Sequence, residues 1–290
     1  MHSPRVTVAM AAYNAETTLV EAVESILWQT LGDWELLIAE DGSSDGTPAL
    51  AQSWKDPRIR VLKDGFNRGK PVRMNQMIRA ARAPLFAIMD ADDIAYPTRL
   101  EKQVAFMEAH PEVDLLAAGM ATFDGEGNVG RWRRMRTEHE EIARTPWLGF
   151  HFNSPTWLGR TEWFERYRYR EDLRAAEDED LLLRAVEDSR FAALPELLLA
   201  YRIDRWSWSK ARRMRRDHVR SLFEAAKQQR DVRPMAGIAI HGAKLLREGL
   251  AVAAGKQEDI LAHRSLTLSR TDEATLRDLL VRIRAQGDGR

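Results

Sequence analysis

An α/β fold, a mostly parallel sheet flanked by helices and followed by a helical extension, is predicted by three observations. Short β-rich apolar runs alternate with helical-period patterns from Val6 to about Val113; polar or glycine-containing loops separate them; and from about Ser207 onward the sequence reads as helices alone. The runs cover residues 6–11, 36–39, 59–62, 85–89 and 113–118, and the first four read as central strands covered on both faces. Between the first two, Leu19, Val23, Ile26 and Leu27 fall on one face of a helix over 16–30, with Asn14 as its N-cap. Pro97 opens another helix at a position that tolerates proline, and Leu100, Val104 and Met107 form its stripe. Asp124-Gly125-Glu126-Gly127-Asn128 reads as a hairpin turn after the fifth strand, and the irregular stretch beyond it covers one end of the sheet. Further helices are expected over 217–229, 235–253 and 271–285, the last opened by Thr271-Asp272-Glu273. A boundary near 205–215 divides a main domain over 1–209 from a helical extension over 210–290.

Composition narrows the chemistry. The 44 Lys plus Arg balance the 44 Asp plus Glu, which gives no reason to expect a nucleic-acid partner. Cysteine is absent from the 290 residues, so a disulfide framework, a thiolate metal site and a cysteine nucleophile are excluded together. Any metal must sit on oxygen or imidazole. The N-terminal residues lack the apolar core of a signal peptide, and no run approaches the roughly 18 to 20 apolar residues of a membrane span. The expected address is the cytoplasm, with contact at the inner face of the membrane as an extension of it.

In an open parallel sheet, ligands bind beyond the carboxyl ends of the strands. The first run ends in Ala12-Tyr13-Asn14, the second in Glu40-Asp41-Gly42-Ser43-Ser44-Asp45-Gly46, and the fourth in Asp90-Ala91-Asp92-Asp93. Three acids within four residues repel one another unless a cation compensates. Mg²⁺ or Mn²⁺ suits such a set, because each prefers oxygen and is commonly held by one or two carboxylates plus substrate phosphates. The competing reading of the cluster is a polar turn and cap before the helix at Pro97. Asp41 taken alone serves equally as an Asx turn.

These residues also carry a family resemblance. Val6-Thr7-Val8-Ala9-Met10-Ala11-Ala12-Tyr13-Asn14, then Ser25-Ile26-Leu27-Trp28-Gln29-Thr30, then Glu40-Asp41-Gly42-Ser43-Ser44-Asp45-Gly46-Thr47 resemble the opening of the family 2 glycosyltransferases of the GT-A fold. Asn67-Arg68-Gly69, Arg73-Met74-Asn75 and the run into Asp90-Ala91-Asp92-Asp93 follow the family's order and spacing, and Glu177-Asp178-Glu179-Asp180-Leu181 resembles its Glu-Asp motif. The resemblance extends over residues 4–209. It implies a Rossmann-like mixed sheet of GT-A type and an inverting transfer from a nucleoside-diphosphate sugar, a UDP-sugar by default, to a hydroxyl of a glycan or lipid-linked acceptor, in cell-surface polysaccharide synthesis.

By the same resemblance, Ala11, Tyr13 and Asp41 line the base pocket, Arg68, Lys70 and Arg73 face the nucleotide, Asp90 contacts the ribose, and Asp92 ligates the metal. Asp178 is the implied general base, which would take the proton of the attacking hydroxyl; Glu177 and Trp157 lie on the acceptor side. Without the resemblance, the acids over 177–180 read as the first turn of a helix, and Arg184 as an i, i+4 partner of Asp180. Where many relatives carry Tyr-Arg-x-His, this chain has Tyr201-Arg202-Ile203-Asp204, which makes Asp204 a candidate second oxygen ligand. His151 is read as structural. Trp147, Trp163, Trp206 and Trp208 read chiefly as core or interface residues. The processive Gln-x-x-Arg-Trp motif is absent, which favours transfer of single sugars. Competing readings are a sugar nucleotidyltransferase, which should show a Gly-rich loop after the first strand, and a non-catalytic sugar-nucleotide binder or scaffold. The basic segments Arg131-Trp132-Arg133-Arg134-Met135-Arg136 and Lys210-Ala211-Arg212-Arg213-Met214-Arg215-Arg216 read as solvated or interdomain faces, or as contacts with an anionic membrane surface.

Overall fold

The computed structural model describes residues 3–132, 135–150, 152–203, 207–229, 232–254 and 268–287. His151, Asp204, Trp206 and the Arg133-Arg134 pair of the first basic segment lie outside the described residues. The chain forms a mixed sheet flanked by helices. Strands β1 (Val6–Ala12), β2 (Trp34–Glu40), β3 (Ile59–Leu62) and β4 (Leu85–Asp90) are parallel, in the order β3-β2-β1-β4. The sheet continues through β8 (Leu158–Arg160), β6 (Leu115–Phe123), β9 (Phe191–Arg202) and the short β5 (Ile94–Ala95), and β7 (Val129–Trp132) adds to β6 as a hairpin. β8 enters antiparallel between β4 and β6.

Period-two alternation explains how the sheet carries two cores. Val6, Val8 and Met10 of β1 face a layer that includes Leu19, Val23 and Ile26 of α1 (Leu19–Leu27) and Leu100 and Val104 of α4 (Arg99–Ala109). Ala9, Leu37 and Ala39 face the opposite layer, with Met74 and Met77 of α3 (Lys70–Ala80), Trp163 and Phe164 of α6 (Thr161–Tyr167), and Leu181 and Leu182 of α7 (Glu177–Ala185). Short helices α2 (Thr47–Ser53) and α5 (His139–Ile142) complete this part of the molecule. Helices α8 (Trp208–Gln229), α9 (Arg233–Ala253) and α10 (Arg270–Gly287) follow. Leu276, Leu279, Leu280 and Ile283 of α10 return to the sheet and pack with Ile94, Tyr96 and Phe123, so the last helix joins the main body.

The expected elements form, with three differences. β3 lies at the edge of the sheet and is only half-buried along its length, because no strand covers its outer side. Asn14 does not cap α1, whose first flanking residue is Thr18; Asn14 is held at φ 49° and its Oδ1 accepts the Ser44 amide at 3.0 Å, which ties the β1 and β2 loops together. α8 starts at Trp208 rather than Asp217, so one helix covers much of the expected boundary region.

Candidate active site

The parallel strands end level with one another. Ala11 is paired in register with Ala39 on one side and with Asp90 on the other, so Tyr13, Glu40-Asp41 and Asp90 to Asp93 leave the sheet along one edge. Tyr13 is half exposed, with its ring open to solvent.

Asp41 is buried and already well supplied with donors. The Arg68 and Gly69 amides donate to its two oxygens at 2.8 and 2.9 Å, and Arg73 Nε donates at 2.8 Å. Arg73 is 0% exposed, and its remaining nitrogens reach Asp64, Gln76 and the Phe66 carbonyl. The arginine expected to face a nucleotide is therefore a strut beneath the 64–69 loop: its guanidinium is consumed by protein acceptors. Burial opposes its charge, but the Asp64 and Asp41 carboxylates outweigh that and raise its pKa. Arg68, by contrast, keeps half its side chain exposed while pairing with Asp64 at 2.6 Å. Gly42 sits under the same loop at φ +69°, where a Cβ would come within 2.5 Å of the Phe66 carbonyl carbon; only glycine permits this approach.

α3 begins at this loop and aims its first side chain across the strand ends. Lys70 Nζ donates to Asp90 Oδ1 at 2.5 Å. Burial works against the ammonium, yet the charges of Asp90 and Glu177 and the hydrogen bond to Asp90 hold its pKa well above the ordinary value. Beside it, Asp90, Asp92 and Asp93 can bring carboxylate oxygens within 4.8 Å of one another. Asp93 is fully buried, accepts the Arg202 amide on Oδ1 at 2.9 Å and leaves Oδ2 without a hydrogen-bond partner. Burial, reinforced by the Asp90 and Asp92 charges, pushes its carboxyl well above the usual range. An all-oxygen set with a buried, unbonded acceptor suits a hard divalent ion.

Two arginines, Arg99 and the Arg202 of the Tyr201-Arg202-Ile203-Asp204 segment, support this loop in roles the sequence did not reveal. Arg202, at the end of β9, donates from Nε to the Asp92 carbonyl at 2.8 Å and pairs with Glu21. Arg99 is buried under the loop; Nη2 donates to the carbonyls of Ile88 and Pro155 at 2.7 and 3.0 Å. Burial pulls Arg99 down to about 10, against the raising influence of Asp93 and Asp90. Neither role has a local signature, since each arginine donates to backbone carbonyls outside its own element.

The acids over 177–180 form the first turn of α7, as their pattern suggests. The residue before them, Ala176, is left-handed at φ 54°, ψ 28°, a strained conformation for a residue with a Cβ. Asp180 faces inward to Arg170 and to Arg184, the expected i, i+4 pair at 2.8 Å. Glu177, expected on the acceptor side, lies in the field of Lys70 and Asp90: burial pushes its carboxyl up, Lys70 pulls it down, and Asp178 and Asp90 add to the rise. Buried Tyr169 shares this neighbourhood, its phenol raised well above the ordinary value by burial and by Glu177, Asp178 and Asp90 against Lys70. Trp157, also expected on the acceptor side, is fully buried and packs against Phe152, so its ring faces are covered by the core.

Glu179 gives a pH-dependent expectation. Burial, with the Asp178 charge, lifts it from 4.5 to about 8, against the Phe150 amide that donates to it at 3.2 Å. The folded state then binds more protons than the unfolded state between pH 4.5 and 8, so this group's stabilisation is complete below that window and is lost as pH rises through it. Glu179→Gln is expected to gain melting temperature relative to wild type as pH is raised from 5 to 9; a constant difference at every pH would contradict it.

Comparison with known proteins bears on the family and the fold. The model of the family described as glycosyl transferase family 2 matches residues 7–168. The uncharacterized glycosyltransferase MJ1057 of Methanocaldococcus jannaschii is 32% identical over 209 residues, covering 70% of this chain and 72% of that protein. The putative glycosyltransferase EpsE of Bacillus subtilis is 38% identical over 130 residues, 44% of this chain, and this chain spans about half of EpsE's length, 47%. WfgD of Escherichia coli, a UDP-Glc:alpha-D-GlcNAc-diphosphoundecaprenol beta-1,3-glucosyltransferase, is 35% identical over 102 residues, 35% of this chain and 40% of that protein. Among solved structures, the mannosyltransferase PcManGT of Pyrobaculum calidifontis, in complex with GDP-Man and Mn²⁺, superposes with a TM-score of 0.62 at 18% identity, over 99% of this chain and 88% of that one, which shows a shared fold. The chain belongs to glycosyl transferase family 2.

Proposed function

We propose that the chain transfers a sugar from a nucleoside-diphosphate sugar to a hydroxyl of a glycan or lipid-linked acceptor, with inversion, in cell-surface polysaccharide synthesis. The observation that carries this reading is the meeting of the acidic strand end with the start of α7 around Lys70, whose ammonium is held by Asp90 and lies in the field of Glu177. Residues 1–209 are the catalytic part in this reading, and 210–290 the helical extension.

Tyr13 offers an open ring to the base, and the backbone around Ala11 shapes the pocket floor. Asp41 has a lone pair left for a base N–H after its three protein donors. Lys70 and the exposed side chain of Arg68 supply positive charge toward a diphosphate, and Asp90 would meet the ribose. Asp92 would hold Mg²⁺ or Mn²⁺, which would offset the charge of the departing nucleoside diphosphate. Asp178 accepts the proton of the acceptor hydroxyl as its oxygen bonds to the anomeric carbon; the bond to the diphosphate oxygen breaks and takes its electron pair with it. One displacement of this kind inverts the anomeric configuration.

The names of two similar proteins support the substrate classes: UDP-Glc and a diphosphoundecaprenol-linked sugar for WfgD, GDP-Man with Mn²⁺ for PcManGT. The test is a turnover screen of UDP- and GDP-sugars with Mg²⁺ or Mn²⁺ and lipid-linked or soluble glycan acceptors. Release of nucleoside diphosphate that depends on both metal and acceptor, with an inverted product anomer, is expected. Donor binding without release for every acceptor would replace this reading by a non-catalytic binder, and turnover of a nucleoside triphosphate with a sugar phosphate would replace it by a nucleotidyltransferase.

A further inference from the structure

The α8–α9 hairpin buries an ionic cluster on its inner side and exposes an apolar stripe on the outer side of α9. On the inner side, Arg215 of α8 donates to Glu248 of α9 at 3.1 Å through Nε and 2.5 Å through Nη2, and its Nη1 lies 3.2 Å from His241 Nδ1. All three residues are buried, and buried His218 lies with its ring centre 4.3 Å from that of His241. On the outer side of α9, Met235, Ala239, Ala243, Leu246 and Leu250 recur at helical spacing and are all exposed, with Leu246 at 66% and Leu250 at 63%. A helix that meets water alone shows the opposite arrangement.

The neighbouring helix carries exposed charge of its own, of which Arg216 pairs with Asp217 and Arg220 with Asp172. Arg212, Arg216, Phe223 and Lys227 form one exposed stripe along α8, and Arg220 lies beside it. Arg212 and Lys227 have no ion-pair partner among the described residues. Arg215, within the basic segment noted in the sequence, is instead spent on Glu248 inside the hairpin.

We propose that the outer face of α8 and α9 docks on an anionic lipid bilayer surface, with the apolar stripe of α9 entering the acyl boundary and the cations of α8 meeting lipid phosphates. The 21 residues of α9 give an interfacial element about 30 Å long, and among the described residues no helix is long and apolar enough to cross a membrane. A second copy of the chain complements this face poorly, because the same face of that copy brings no anionic side chains to Arg212 and Lys227. Each cation near an anionic surface raises partitioning about fivefold, so the stripe and the charges act together.

The test needs neither donor nor acceptor, so it stands apart from the proposed reaction. The full chain is sedimented with phosphatidylcholine vesicles, pure or with roughly one-third phosphatidylglycerol. It should pellet with the anionic vesicles and stay in solution with the neutral ones. Leu246→Glu/Leu250→Glu and Arg212→Glu/Lys227→Glu should each reduce partitioning at least about tenfold; Leu246→Ser/Leu250→Ser replaces the first pair should it fail to fold. Failure of the wild type to bind anionic vesicles, or variants that bind as the wild type does, would overturn the proposal. So would a dimer seen by light scattering that the leucine variant dissociates while vesicles capture nothing.

Discussion

Asp178→Asn is expected to reduce transfer by roughly 10²- to 10⁴-fold while donor affinity stays within about twofold of wild type. Asp178 Oδ1 accepts the Glu179 amide at 2.8 Å in the first turn of α7, and the asparagine oxygen can accept the same bond. The helix start and its charged neighbours, Glu177 and Lys70, therefore keep their places. What disappears is a carboxylate able to take a proton. Single-turnover kinetics beside a donor titration separates the two effects, and transfer at the wild-type rate would show that another group is the base.

Asp92→Ala should remove the metal-dependent part of nucleotide binding and lower transfer at least 100-fold, a loss of about 3 kcal/mol of stabilisation. The fold should survive, because Arg202 is anchored on the Asp92 backbone carbonyl, which alanine retains. The measurement is the shift in melting temperature produced by a nucleoside diphosphate with and without Mn²⁺. Wild type should show a larger shift with the metal, and the variant the same shift in both conditions. A metal-dependent shift preserved in Asp92→Ala would move the ligand role to Asp90 or Asp93.

Much of this was legible because strands buried on both faces announce themselves as apolar runs, and their polar successors in sequence are their neighbours in space. The site edge at Tyr13, Asp41 and Asp90 follows from that rule alone. Side-chain direction does not follow from it. Arg73 looks like any cation near a helix start, and only the three-dimensional position of Asp41 and Asp64 turns it inward. Trp157 has the residue type of a sugar platform, but the cover supplied by Phe152 and its neighbours is a property of packing. For α9 the helical period was readable, whereas the face that would be buried was not: Arg215 and Glu248, on different helices, satisfy each other inside and release the leucines outward. The supporting roles of Arg99 and Arg202 were not readable, because the carbonyls they hold come to them only in the fold.

The anchoring of the acidic loop by Arg202 has a temporal consequence. Asp92 and its anchor are 110 residues apart, and Glu21 and Arg202 are separated by 181. Closing a loop of the first length carries an entropic cost of roughly 4 kcal/mol beyond its constant part, which the pairing of β5 with β9 at Ile94 and Ala200 helps to offset. During synthesis the strand bearing the acids leaves the ribosome well before the arginine that fixes them. A nascent or truncated chain can thus own Asp90, Asp92 and Asp93 and still lack an ordered cradle.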